Sequence, residues 1–161
     1  MNDPAFQSLL NSKGGTYNWI NGADNNIKGM FNQANGDYNS VTGILNQVNG
    51  KGNDVKGVKN NAVGNVNKVG GVSNNVAGDG SSVNGHLNNI YGNFNGVFGN
   101  ANTGFGNFNY MRGDFNKYQG NFNTMSGVNN TVVGDGNGVK GVNNNLTGSG
   151  NNVTGEGNEV S

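Results

Sequence analysis

Residues 67–80 read NKVGGVSNNVAGDG, and this stretch decides the fold. It contains two heptads, each with an asparagine, a valine two residues later and a glycine two residues after that. Glycine recurs at every seventh position from Gly15 to Gly155, and an asparagine follows three residues after it in every unit except at Ser81. Self-similarity at a fixed period is the signature of a repeat architecture.

The heptad is a strand unit rather than a helical one. A coiled coil needs two apolar positions per heptad, and a glycine in a helix costs about 1 kcal/mol relative to alanine. Most units of the repeat have one aliphatic residue at the valine position, and every unit has at least one glycine. Its asparagine and valine alternate with other residues at the period of two that a strand requires. We therefore predict short strands closed by glycine corners.

Two heptads make one coil. The segment Gly-Asn-Phe-Asn recurs at 92–95, 106–109 and 120–123, which is a spacing of fourteen residues. The corners also alternate, with pairs such as Val72-Ser73 at one and Asp79-Gly80 at the other. Asp-Gly pairs suit tight turns with positive φ, whereas a valine suits an extended or inward-facing position. The prediction is an all-β fold, a β-solenoid (β-roll or β-helix) of about ten coils with a Val/Ile core.

The repeated asparagines are predicted to stack inside the solenoid. In-register amides of successive coils can donate to one copy and accept from the other, which satisfies polar groups that would be costly to bury alone. There are two such columns. One of them contains Asn18, Asn32, Asn46, Asn60, Asn74, Asn88, Asn102, Asn116, Asn130, Asn144 and Asn158.

The domain prediction divides the chain into residues 1–11 and residues 12–161. The first segment lies outside the repeat, and Asp3, Pro4, Phe6, Leu9 and Leu10 suggest a cap over one end of the core. The second is the solenoid. Its repeat stops in register without a visible cap, and an uncapped end is a template for another chain.

The amino-acid composition indicates which kinds of binding partner to expect. Nine basic and nine acidic residues give a net charge of zero, which offers no reason to expect nucleic acid as a partner. No long apolar run marks a signal peptide or a transmembrane segment, so we expect no membrane insertion. We expect an extracellular or cell-surface location. Export would then use either a leader that has been removed or a route that needs no signal peptide.

No catalytic constellation is recognisable, so we predict a protein that is not an enzyme and has no cofactor. His86 is the single histidine and has no triad or paired carboxylates around it in the sequence. Cysteine is absent, which removes thiolate metal sites. The Asp-Gly corners lack the spacing of calcium-binding repeats, so no metal site is predicted either.

Aromatic residues concentrate in the second half of the chain. They either thicken the core or form an exposed ridge that packs against another rod, as contiguous exposed apolar patches often do. The predicted assembly interface consists of Tyr91, Phe94, Phe98, Phe105, Phe108, Phe115 and Phe122.

The N-x-V-x-G unit over residues 12–161 resembles the repeat of the grass ice-recrystallisation-inhibition proteins, of the ryegrass type. That resemblance implies a β-roll with fourteen residues per coil and an ice-binding face of outward Thr, Ser and Val. In this chain neither outward face is a threonine array. The leading hypothesis is therefore a self-assembling structural solenoid, a filament, fibril or surface or matrix element whose partner is itself. Ice binding is the alternative, and a carbohydrate-binding adhesin stalk is a third possibility.

Overall fold

The computed structural model describes residues 12–161, which form a β-solenoid. Five-residue and three-residue strands alternate along the chain. The strands are β1 Ser12–Thr16, β2 Trp19–Asn21, β3 Asn26–Met30, β4 Gln33–Asn35, β5 Ser40–Ile44, β6 Gln47–Asn49, β7 Asp54–Val58, β8 Asn61–Val63, β9 Lys68–Val72, β10 Asn75–Ala77, β11 Ser82–His86, β12 Asn89–Tyr91, β13 Gly96–Asn100, β14 Thr103–Phe105, β15 Tyr110–Asp114, β16 Lys117–Gln119, β17 Thr124–Val128, β18 Thr131–Val133, β19 Gly138–Val142, β20 Asn145–Thr147, β21 Asn152–Glu156 and β22 Glu159–Val160.

The strands form two parallel sheets of eleven strands each. The odd-numbered, longer strands make sheet A, and the even-numbered, shorter strands make sheet B. Every strand pairs with the strand one coil away at a register of fourteen residues, as Val69 does with Val83 and Val76 with Ile90. The predicted solenoid and its two-heptad coil are confirmed, with about eleven coils rather than ten. The predicted cap at residues 1–11 lies outside the described residues.

Two corners separate the sheets. The A-to-B corner follows each five-residue strand, and the B-to-A corner follows each three-residue strand. We call the outward side chains of the two sheets face A and face B.

The core is a double column of side chains, one per strand. From β2 to β21, the middle position of the sheet B strands and the second position of the sheet A strands point inward. The fully or almost fully buried core side chains are Ile27, Ala34, Val41, Val48, Val55, Ala62, Val69, Val76, Val83, Ile90, Val97, Met111, Tyr118, Met125, Val132, Val139, Leu146 and Val153.

On two neighbouring coils the core residue is not aliphatic, and a large side chain on one coil is matched by a missing side chain on the other. Tyr118 is only 1% exposed and takes a core position beneath strand β14. The core residue of β14 is Gly104, where a Cβ would lie 2.1 Å from Cζ of Tyr118. Burial raises the pKa of the Tyr118 phenol, although the Asn109 side chain acts in the opposite direction. The missing side chain at Gly104 therefore makes room for the large ring.

This pair gives a test of the packing. Replacing Gly104 with Ala should cost about 2–3 kcal/mol of unfolding free energy because the new methyl group collides with the ring. In a Tyr118→Val background the same change should be neutral or stabilising, since it fills the space the ring has left. Chemical denaturation of the four proteins should give a coupling energy of about 2 kcal/mol. A coupling near zero would contradict the described packing.

The two asparagine columns form hydrogen-bonded ladders at the two corners. Asn74 donates from Nδ2 to Asn60 Oδ1 (3.0 Å), Gly70 O (2.9 Å) and Gly85 O (2.8 Å). Its own Oδ1 accepts from the backbone N–H and the side-chain amide of Asn88. The same pattern runs through the predicted column from Asn18 to Asn158. The ladder is thus confirmed, and each amide also bridges to the glycine corner of the next coil.

Removing one ladder amide should be far more costly than removing a surface amide. Asn74→Ala leaves the backbone N–H of Asn88 without its acceptor and the carbonyl of Gly85 without its donor. We expect a loss of about 3 kcal/mol or more, because buried unsatisfied groups cost about 1–3 kcal/mol each. Asn75 is the matched control. It lies on face B, where it donates to Asn89 Oδ1, and Asn75→Ala should cost less than about 1 kcal/mol. Equal losses in thermal or urea unfolding would contradict a structural role for the ladder.

Candidate interaction surfaces

All corners of both kinds share one backbone conformation. The second residue after each heptad glycine has a φ of 53–71° throughout residues 12–161. Sixteen of these residues are not glycine, including the β-branched Val66. A left-handed conformation costs an L-residue roughly 1–2 kcal/mol, so the stacked coils impose it on the chain. The turn directs the side chain at this position away from the core, and Val66 is 69% exposed.

The valines of the A-to-B corner were predicted to be extended or inward-facing. Val128 and Val142 end strands β17 and β19 and are indeed extended. Both are exposed, however, so inward orientation is wrong for them. The inward position of the coil is already occupied by the ladder asparagine that follows two residues later.

A second, external ladder runs along the B-to-A corner. The backbone N–H of Asn93 donates to Asn107 Oδ1, and that of Asn107 donates to Asn121 Oδ1. The acidic residues take part in the same way: Asp79 Oδ1 accepts from the backbone N–H of Asn65, and Asp135 Oδ1 from that of Asn121. The Asn and Asp residues at this corner therefore bind neighbouring coils as well as forming turns.

The most prominent apolar surface surrounds this corner. Phe94, Phe108 and Phe122 stack on successive coils, with ring centroids 5.1 and 5.2 Å apart and nearly parallel planes. On face B, beside the corner, Tyr91 and Phe105 stack at 5.2 Å.

On face A, Phe98 packs against Tyr110 at 6.0 Å with tilted planes. All seven of these residues are exposed, and they form a surface that we call the aromatic edge. It consists of Tyr91, Phe94, Phe98, Phe105, Phe108, Tyr110 and Phe122.

The structure brings together six of the seven residues predicted as an interface. Phe115 is the exception, since it lies at the A-to-B corner on the other side of the coil. Tyr110 belongs to the edge and was not predicted. Its position at the start of strand β15, directly after the corner residues Phe108 and Asn109, is the signal that could have identified it.

A smaller apolar patch lies at the A-to-B corner near the other end of the described chain. Tyr17 and Phe31 stack at 5.1 Å with an angle of 6° between their planes. Met30, Ile44 and Leu45 are exposed beside them. This patch was not predicted, because the sequence argument rested on the concentration of aromatic residues in the second half of the chain.

Charge is distributed unevenly around the rod. At the first and third positions of its strands, face A has Lys28, Lys56, Lys68, Arg112 and Lys140 against Asp54, a net charge of +4. Asp114 and Glu156 at the fifth position bring the sum over the sheet A strands from β3 to β21 to +2. Face B has only Lys117 and Glu159, a net charge of zero. The B-to-A corner has Asp24, Asp37, Asp79 and Asp135 against Lys51, a net charge of −3.

One ion pair stabilises the acidic corner. Asp37 lies 3.0 Å from the ammonium group of Lys51. Its pKa is lowered first by the backbone N–H of Ala23, which donates to its carboxylate, and then by Lys51. Asp79 and Asp135 have exposed side chains and no ion pair within the described part of the chain.

The two faces differ in shape as well as in charge. Face A has a depression of about 550 Å³ with Gly70 at its floor and with Lys56, Lys68, Asn84 and Phe98 around it. Face B has a smaller groove of about 220 Å³ that is lined by uncharged side chains, including Gln47 and Asn61.

The described part of the rod has few side chains that could bind a metal ion or take part in catalysis. Among residues 12–161, no three His, Asp or Glu side chains are grouped so that they could hold a metal ion. His86 is exposed at the end of strand β11. No helix in this part of the chain is long and apolar enough to cross a membrane.

No family model matches this chain, and no curated protein is significantly similar to it. The surfaces described above are therefore the basis for an argument about function.

Proposed function

We propose that this chain is a non-enzymatic structural protein whose rods associate laterally into a filament, fibril or matrix element at the cell surface or outside the cell. The observation that supports this function is the aromatic edge. Seven exposed aromatic side chains on neighbouring coils are far more than the scattered apolar residues of an ordinary surface, and contiguous patches of this kind mark interaction sites.

The edge is also well ordered for binding. Each stacked ring restricts its neighbours, so that little side-chain entropy remains to be lost when a partner arrives. Because the rings of Phe94, Phe108 and Phe122 cover one another's faces, the column presents mainly ring edges to the outside. A sugar normally packs against a ring face, so this geometry supports packing between proteins more than glycan binding.

The aromatic edge can be tested by substituting its stacked column. Replacing Phe94, Phe108 and Phe122 with Ser should abolish lateral bundles in electron micrographs and sedimentation, because the apolar contact is lost. Serine already occupies the same backbone position at Ser73, so the β-sheet circular dichroism should be unchanged.

The control removes apolar side chains at the same level on the opposite corner. Leu87 and Phe115 are 66% and 63% exposed there, and Leu87→Ser with Phe115→Ser should leave bundling intact. If the control dissolves bundles as well, the edge has no special role. If the unaltered protein is a monodisperse monomer at high concentration, the proposed function is wrong.

Ice binding is the second candidate, and face B is the observation that favours it. From Trp19 to Phe105 its outward positions have no charged residue. Its amides are ordered along the rod, as in the bonds from Asn61 to Asn75 and from Asn75 to Asn89. Strands about 4.8 Å apart hold this uncharged surface in a regular array, which is what a match to a crystal surface requires.

A recrystallisation assay tests this candidate. The protein at micromolar concentration should slow the growth of ice grains, and Gln47→Lys with Asn61→Lys should abolish the effect by placing two strongly hydrated charges on face B. Thr42→Lys with Asn84→Lys on face A is the matched control and should retain full activity. Grain growth at the rate of buffer alone would exclude ice binding.

A further inference from the structure

The aromatic edge is bounded by negative charge at both ends. In the corner column that contains Phe94, Phe108 and Phe122, the preceding coil has Asp79-Gly80 and the following coil has Asp135-Gly136. Asp79 and Asp135 are four coils apart, which is about 19 Å at 4.8 Å per coil. Any partner that covers the phenylalanines must therefore also face these two carboxylates.

Two identical edges are poorly suited to each other. In a two-fold arrangement centred on Phe108, Asp79 of each copy faces Asp135 of the other copy. In a parallel arrangement in register, each carboxylate faces its own counterpart. Both arrangements bring like charges together as the apolar contact forms, and such juxtapositions act against association.

Face A has the complementary pattern. Lys56 and Arg112 occupy the same outward column and are also four coils apart. The three intervening positions are Gly70, Asn84 and Phe98, which form the floor and part of the wall of the depression. Among the basic residues of that column, which also include Lys28 and Lys140, only Lys56 and Arg112 have this spacing.

We propose that the aromatic edge of one copy docks onto face A of a second copy, with the three phenylalanines over Gly70, Asn84 and Phe98. This inference rests on the proposed lateral self-assembly. The two carboxylates then lie opposite Lys56 and Arg112. Each surface has one charge at either end of three intervening coils, and this pattern is symmetric. Both carboxylates therefore meet a basic residue whether the two rods run parallel or antiparallel.

The local charges of face A are consistent with this contact. Lys56 lies 3.2 Å from Asp54 on its own strand, and Lys68 of the next coil is paired in register with Asp54. Two cations thus accompany one anion, which leaves net positive charge beside the depression. The docking column of Phe94, Phe108 and Phe122 and the receiving column from Lys56 to Arg112 are different surfaces, and Phe98, although part of the aromatic edge, acts here only in the receiving column. A pair of copies joined in this way keeps one free edge and one free face A, so further copies can add.

Charge reversal on the two surfaces tests the pairing. Lys56→Asp with Arg112→Asp, the acidic face A variant, places carboxylates at the two contact positions of face A. Asp79→Lys with Asp135→Lys, the basic edge variant, places ammonium groups at the two contact positions of the edge. Each double variant alone faces like charge at every contact, so its critical concentration for assembly should rise by roughly tenfold or more. An equimolar mixture should assemble again, because each face then meets an edge of opposite charge.

Folding controls are available within the chain. Lysine is native to the same corner position at Lys51, whose backbone N–H makes the corner bond to Asn65. Asp79→Lys and Asp135→Lys nevertheless remove the acceptors of the Asn65 and Asn121 backbone N–H groups. We therefore expect a modestly lower melting temperature with the β-sheet circular dichroism retained. Should the lysine variants unfold, Asp79→Asn with Asp135→Asn, added to the acidic face A, keeps the corner amides and should recover assembly by removing the repulsion.

The outcomes separate the two proposals. If the unaltered protein does not assemble, lateral self-assembly itself fails. If it assembles and the acidic face A variant assembles equally well alone, then face A is not the partner of the edge and only the edge-to-face contact is overturned. Failure of the mixed or asparagine-containing proteins to recover assembly would also overturn it.

Discussion

The close approach of successive glycine corners is the constraint on which the rest of the structure depends. A Cβ at Gly71 would lie 1.9 Å from the carbonyl oxygen of Gly85, and φ at Gly71 is 108°. No other residue meets both conditions without displacing the coil. Because the corners stack this closely, each ladder amide reaches the glycine carbonyl of the next coil, as Asn74 does at Gly85. Asparagine and glycine therefore have to repeat in phase.

A uniform interior leaves the exterior free to vary. Apart from Ser81, the inward positions are restricted to asparagine, glycine and one core side chain per strand, whereas the outward positions include aromatics, charges and amides. The polar composition follows from this arrangement, since one core side chain per heptad suffices when every coil covers its neighbours. Differences between this rod and any other built on the same repeat lie in its faces and corners.

The repeat was sufficient to predict the solenoid, its fourteen-residue coil and the ladder from Asn18 to Asn158, because each depends only on phase. The burial of Tyr118 was not predicted. It depends on Gly104, which leaves space for the ring one coil away, and this compensation joins residues that are fourteen positions apart in the sequence. The orientation of Phe94 was not predictable from residue preference. A left-handed turn disfavours phenylalanine, and the stacked coils override that preference. The separation of charge between face A and face B became visible only when alternate heptads were assigned to different sheets.

Lateral contacts between such rods have to be made by side chains. The hydrogen bonds of both sheets run along the rod axis, from each strand to its neighbours one coil away, so the sides of the rod offer no row of unpaired backbone groups of the kind that drives edge-to-edge sheet aggregation.

The specificity of association then depends on where apolar and charged side chains lie along the axis. A regular spacing between coils converts sequence position directly into distance, so two surfaces match when their patterns have the same number of coils between equivalent charges. Asp79 and Asp135 on the edge meet this condition with Lys56 and Arg112 on face A, and this match in spacing is what the proposed edge-to-face contact uses.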